Sequence, residues 1–105
     1  MVEVARTTDV PEGEARQFDV NGTPVAVANL GEGVFLALGD VCSHAHAFLS
    51  EGEVDADDET IECPRHGSTF DLRTGRPRTL PATSPVPAFP VKVEGDAILI
   101  EVEDR

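Results

Sequence analysis

Both cysteines and all three histidines of this 105-residue chain fall in two short segments, Cys42-Ser43-His44-Ala45-His46 and Cys63-Pro64-Arg65-His66-Gly67. One arm reads Cys-x-His and the other Cys-x-x-His, with eighteen residues between His44 and Cys63. Thiolates and imidazoles paired at such short spacings are metal ligands. Two centres take this donor set. A closed Cys2His2 zinc site would be structural. A [2Fe–2S] cluster with two thiolates on one iron and two imidazoles on the other would carry one electron. Finger-type zinc sites usually draw both cysteines from one arm and both histidines from the other. Here each arm offers one of each. A binuclear cluster suits that mixture, because each arm then reaches both irons.

Ligand arms need a scaffold, and the rest of the chain reads as β. Apolar residues fall in short β-branched runs separated by turn residues, with no sustained helical period. Residues 2–5 read as a strand. Residues 15–20 and 24–30 flank Asn21-Gly22, a strong hairpin signal. Residues 34–38 lead into Gly39-Asp40. Residues 60–63 and 69–72 are short strands around the second arm. Residues 91–94 and 97–102 flank Gly95-Asp96, a second hairpin. This pattern implies an all-β fold, an antiparallel sandwich or small barrel with an inserted, loop-rich metal-binding subdomain. Two stretches break the pattern. They are residues 42–59 and the proline-rich residues 74–90, which hold Pro77, Pro81, Pro85, Pro87 and Pro90. Proline removes backbone donors and blocks regular pairing. The chain is expected to be one domain, 1–105, with the metal-binding part at about 40–82.

Charge and composition narrow the partners. The formal net charge is −12. It resides in residues 1–62, where fourteen Asp/Glu face two Arg, while residues 63–105 balance six against six. Residues 51–62 carry seven carboxylates, read as a solvated loop or as a surface that steers a basic partner. A strongly acidic chain without Trp or Tyr is not expected to bind nucleic acid or anionic lipid. No run approaches a membrane span, and the charged N-terminus does not read as a signal peptide, so a cytoplasmic protein is expected. Two cysteines do not make a disulfide scaffold.

The segments CSHAHAFLSEG and ECPRHGSTFDLRTG, the downstream LPA and the closing VKVEGDAILIEV together resemble the Rieske ferredoxins over most of the chain. The resemblance implies the Rieske fold and one Rieske-type [2Fe–2S] cluster. Cys42 and Cys63 would bind the inner iron, and His44 and His66 the outer one. Gly67 would let the backbone turn close to the cluster. Pro81 would belong to a third loop that covers it. Ser68 stands where high-potential members have a serine that donates to a bridging sulfide. His46 and Arg65 are candidate docking residues, and Phe48 and Leu49 are expected to pack beneath the first arm.

The departures from the high-potential pattern concern the potential. Those members carry two further cysteines in a disulfide that ties the arms, and here the positions are Ala47 and Arg65. They also have a tyrosine two residues beyond the serine, and here it is Phe70, which cannot donate a hydrogen bond. Fewer donors to sulfur leave the reduced state less stabilised. The potential is expected near the low end of the Rieske range, about −150 mV.

Four protein ligands leave no open coordination position, which argues for electron transfer and against catalysis. A mononuclear oxygenase iron would need two histidines and a carboxylate, and only one histidine is left over. The resemblance implies a soluble, monomeric one-electron carrier between a flavin-dependent NAD(P)H reductase and a terminal non-haem iron oxygenase. The alternatives are the small subunit of an NAD(P)H nitrite reductase and, more remotely, a zinc-stabilised interaction module.

Overall fold

The computed structural model describes residues 1–42, 47–65, 67–79 and 84–102. Ser43, His44, His46, His66 and Pro81 lie outside the described residues. Among the described residues ten strands run in chain order: β1 (Val2–Arg6), β2 (Ala15–Val20), β3 (Thr23–Gly31), β4 (Val34–Gly39), β5 (Val54–Asp55), β6 (Thr60–Glu62), β7 (Thr69–Asp71), β8 (Ala88–Phe89), β9 (Val91–Glu94) and β10 (Ala97–Ile100). They form three antiparallel sheets, ordered β1-β10-β9, β2-β3-β4-β8 and β5-β6-β7.

The four-stranded sheet is the middle layer, and period-two alternation makes it so. On β3 and β4, Val25, Val27, Phe35 and Ala37 face one core. Ala28, Leu36 and Leu38 face the other. Both faces are therefore apolar, as a strand buried on each side requires. The first core closes against Ala5 of β1 and Ile98 and Ile100 of β10. The second closes against Leu49, Ile61, Cys42, Cys63, Phe70, Leu72 and Val86. The sandwich is thus the first core, and both cysteines stand in the second.

The hairpin turns follow their chemistry. Asn21 and Gly22 both take positive φ, 54° and 85°, as a type I′ turn between right-twisted strands demands. The Asp19 carboxylate accepts the Gly22 N–H at 2.8 Å and pins the turn. The two irregular stretches contain more order than their composition suggests. Residues 42–59 hold a 3-10 turn at Leu49–Glu51 and the two-residue β5. The proline-rich stretch contributes β8, where Leu38 pairs Ala88 and Ala37 pairs Phe89. β8 is an edge strand flanked by Pro87 and Pro90, the place in a sheet where proline costs least.

Candidate metal centre

Each arm is a loop pinched at its neck, and the two necks match. In the first, Val41 bridges Phe48 and the Cys42 N–H donates to the Ala47 carbonyl at 2.9 Å. In the second, β6 pairs β7 through Glu62 and Thr69, and the Cys63 N–H donates to the Ser68 carbonyl at 2.7 Å. Each cysteine is thus the first residue of a loop closed on the residue five positions later. Cys42 is 3% exposed and Cys63 is 0% exposed. Both belong to the apolar cluster that holds Leu49, Ile61 and Phe70, and neither is in a disulfide. Two soft thiols brought to one dry core from two loops fit a thiolate-held metal group.

The second arm carries its own turn device. Gly67 has φ 75°, a left-handed conformation that an L side chain adopts only with strain, and its N–H donates back to the Cys63 carbonyl at 3.0 Å. A Cβ there would find Glu62 Oε2 at 4.0 Å as its nearest described protein neighbour, so φ alone accounts for glycine among these contacts. Ser68 is fully buried. Arg65 is exposed at the outer turn of this arm. Phe70 is fully buried opposite Ile61 and supplies no hydroxyl.

Phe48 departs from expectation. Leu49 is fully buried, yet Phe48 is 41% exposed and Val41, its bridge partner, is 47% exposed. Neighbours on an extended chain face opposite ways, so the residue that buries Leu49 turns Phe48 outward.

The arms are held together without a disulfide. Gly52, just after the first arm, lies so close to β6 that a Cβ would overlap the Glu62 carbonyl oxygen. The Glu62 N–H donates to the Glu53 carbonyl at 2.9 Å, and β5 pairs β6 beside it. The proline-rich segment locks on from the far side. The Val86 N–H donates to the Gly75 carbonyl at 2.9 Å, the Gly39 N–H to Pro87 at 2.8 Å, and the Thr69 N–H to Thr79 Oγ1 at 2.8 Å. Glu59 adds a peripheral clasp, accepting from Arg73 Nε at 2.7 Å and Nη2 at 2.8 Å. Those two hydrogen bonds hold its carboxyl below the usual carboxylate range, against a weaker opposing effect of burial.

One residue central to the first arm was invisible to motif reading. Asp40 is fully buried and accepts three side-chain-directed hydrogen bonds, two from Ser50 and one from Gln17, each at 2.7 Å. In sequence it is only the end of a Gly-Asp turn. Its partners lie 10 and 23 residues away, so no local signal marks it.

Among the described residues no helix is long and apolar enough to cross a membrane. A Rieske [2Fe–2S] domain model matches residues 1–90. The 3-phenylpropionate/cinnamic acid dioxygenase ferredoxin subunit of Escherichia coli (strain K12) is 47% identical over 96 residues, spanning 91% of this chain and 88% of the relative. The ferredoxin of carbazole 1,9a-dioxygenase from Nocardioides aromaticivorans IC177 superposes with TM-score 0.92 at 39% identity, covering 97% of each chain. A second solved structure, a complex of reduced oxygenase and oxidized ferredoxin in carbazole 1,9a-dioxygenase, gives 0.84 at 37% identity, over 95% of this chain and 100% of that one. Fold, buried cysteine pair and relatives agree: the chain belongs to the Rieske [2Fe–2S] domain family and carries one Rieske-type [2Fe–2S] cluster.

Proposed function

We propose that this protein is a diffusible one-electron carrier that takes electrons from a flavin-dependent NAD(P)H reductase and delivers them to a terminal non-haem iron oxygenase. The observation that carries this reading is the end-to-end match to a dioxygenase ferredoxin subunit, 91% of this chain against 88% of that one. The relative is itself a small ferredoxin, not a cluster domain within a large oxygenase. A solved neighbour in complex with its oxygenase supports an oxygenase as the recipient. The cluster sets aside the zinc-held module.

Cys42 and Cys63 are the thiolates for the inner iron in this reading, and His44 and His66 the imidazoles for the outer one. When bound, the cluster supplies one-electron carriage and leaves no open position for a substrate. The chain's own residues do the rest. The paired necks fix the two cysteines, and the apolar core behind them excludes water. Gly67 turns the second arm, Ser68 is the residue assigned to donate to a bridging sulfide, and Pro81 is assigned to the covering loop. Arg65 and His46 are the residues assigned to partner docking in this reading. A monomer in the cytoplasm suits this task.

Reconstitution tests the proposal. Reductase and oxygenase of a 3-phenylpropionate dioxygenase, mixed with NADH and substrate but no ferredoxin, provide the baseline. Adding this protein is expected to raise product formation at least about tenfold above it. Purification from the native host gives the complementary reading. A free carrier is expected to migrate alone, near its mass of 11.2 kDa. Stoichiometric elution with a large redox subunit, and no rescue in the mixture, would instead favour the nitrite reductase small-subunit reading.

A further inference from the structure

Asp40 is the one charged residue that is fully buried among the described residues. It directly follows β4 and stands two positions before Cys42. Its carboxyl Oδ1 accepts the Ser50 N–H, and Oδ2 accepts both the Ser50 hydroxyl and Gln17 Nε2, each at 2.7 Å. Its main chain is held as tightly. The N–H donates to the Pro24 carbonyl at 3.0 Å, and the carbonyl accepts the Leu49 N–H at 2.8 Å. The first arm therefore departs from residue 40 and returns to it at residues 49 and 50. Among the described residues no cation pairs with this carboxylate. All of its side-chain partners are donors, so its charge is met by dipoles and not by an opposite charge.

We propose that Asp40 is a positioning residue with a second effect: its buried charge holds the reduction potential of the cluster low. The inference rests on the assignment of Cys42 as a ligand. Two consequences follow from one location. The five hydrogen bonds clamp both ends of the first arm and set where Cys42 stands. The negative charge, fixed in the interior beside that arm and paired with no cation among the described residues, disfavours adding an electron nearby. A buried charge is weakly screened, whereas the surface carboxylates of residues 51–62 act through water and salt. Asp40 therefore outweighs any one of them, although they carry most of the formal charge.

Protein-film voltammetry at neutral pH tests this, with iron content measured on each sample. Asp40→Asn removes the charge and keeps the volume. The midpoint potential is expected to rise, so that at the wild-type midpoint the ratio of reduced to oxidised protein increases about threefold or more. Asp57→Asn, which removes one exposed charge, is expected to shift the ratio far less. Ser50→Ala deletes a hydroxyl dipole aimed at Oδ2 and leaves the charge more naked. Its potential is expected to fall. A purely structural role would loosen the arm in both variants and move both potentials the same way. An Asp40→Asn protein with full iron and the wild-type potential would overturn the proposal while leaving the ligand assignment intact. If Asp40→Asn does not retain iron, Ser50→Ala is read beside Ser50→Thr, which keeps the hydroxyl: a fall in Ser50→Ala alone supports the proposal, and a fall in both, or an unchanged or higher potential in Ser50→Ala, overturns it. Full iron in Cys42→Ala would instead overturn the ligand assignment.

Discussion

A Cys63→Ala protein is expected to emerge colourless, with iron and acid-labile sulfide at background. Cys63 is fully buried at the neck of the second arm, with its N–H committed to Ser68. No other cysteine is left to replace it, because the chain has two and the proposed ligand set already uses Cys42. The packing loss is small, since removing one buried sulfur costs about 1 kcal/mol. The lost metal–ligand bond is what matters, because metal binding is coupled to folding of the site that holds it. The sandwich core contains neither cysteine. Circular dichroism should therefore keep its strand signature while the visible spectrum vanishes. The protein has no Trp or Tyr, so any strong near-ultraviolet and visible absorbance of the wild type belongs to the cluster. An alanine variant with full iron content would remove Cys63 from the ligand set.

The second large effect is expected at Gly52. Its backbone sits at φ −90° and ψ −176°, a conformation open to any residue, so strain is not the reason for glycine. The reason is contact: a Cβ would overlap the carbonyl oxygen of Glu62, one residue before Cys63. That oxygen belongs to the main chain of β6 and cannot swing away as a side chain could. Gly52→Ala therefore pries the end of the first arm from the start of the second. A cost of about 3 kcal/mol is expected from such overpacking, lowering Tm by more than about 10 °C. Iron should be lost faster to a chelator as well. Gly22→Ala provides the contrast, because its φ of 85° is strained but a Cβ there meets nothing within 4 Å. That variant is expected to lose about 1 kcal/mol with no change in the rate of iron loss. Equal iron retention in both variants would show that the Gly52 contact does not tie the arms.

The parts of the molecule legible in sequence are those whose causes are local. The Asn21-Gly22 and Gly95-Asp96 turns declare themselves because few residues tolerate the φ they need, and the flanking strands follow by alternation. The two cysteines declare themselves as a pair because thiols so closely spaced with histidines are rare, and the structure brings both into one buried cluster. β5 and β8 did not, since two-residue strands carry no period and their pairing is decided by neighbours far along the chain. The same holds for the site. Cys42 and Cys63 were legible, but the clamp around the first arm needs Asp40, Gln17 and Ser50, which only the fold brings together. Phe48 was misplaced for a related reason. Both Phe48 and Leu49 are apolar enough to be buried, and the direction of one extended segment chose between them. Gly52 sat in plain view within the motif, yet its role depends on a carbonyl ten residues away.

The central claim is that two cysteines and two histidines share the irons of a single cluster, and electron paramagnetic resonance of the dithionite-reduced protein tests it most directly. Imidazoles on one iron and thiolates on the other make that pair electronically unlike, so the reduced protein should show a rhombic signal whose average g value lies well below that of all-cysteine ferredoxins. A spectrum with the higher average g of an all-cysteine cluster, or no signal from a sample that contains zinc, would contradict the account.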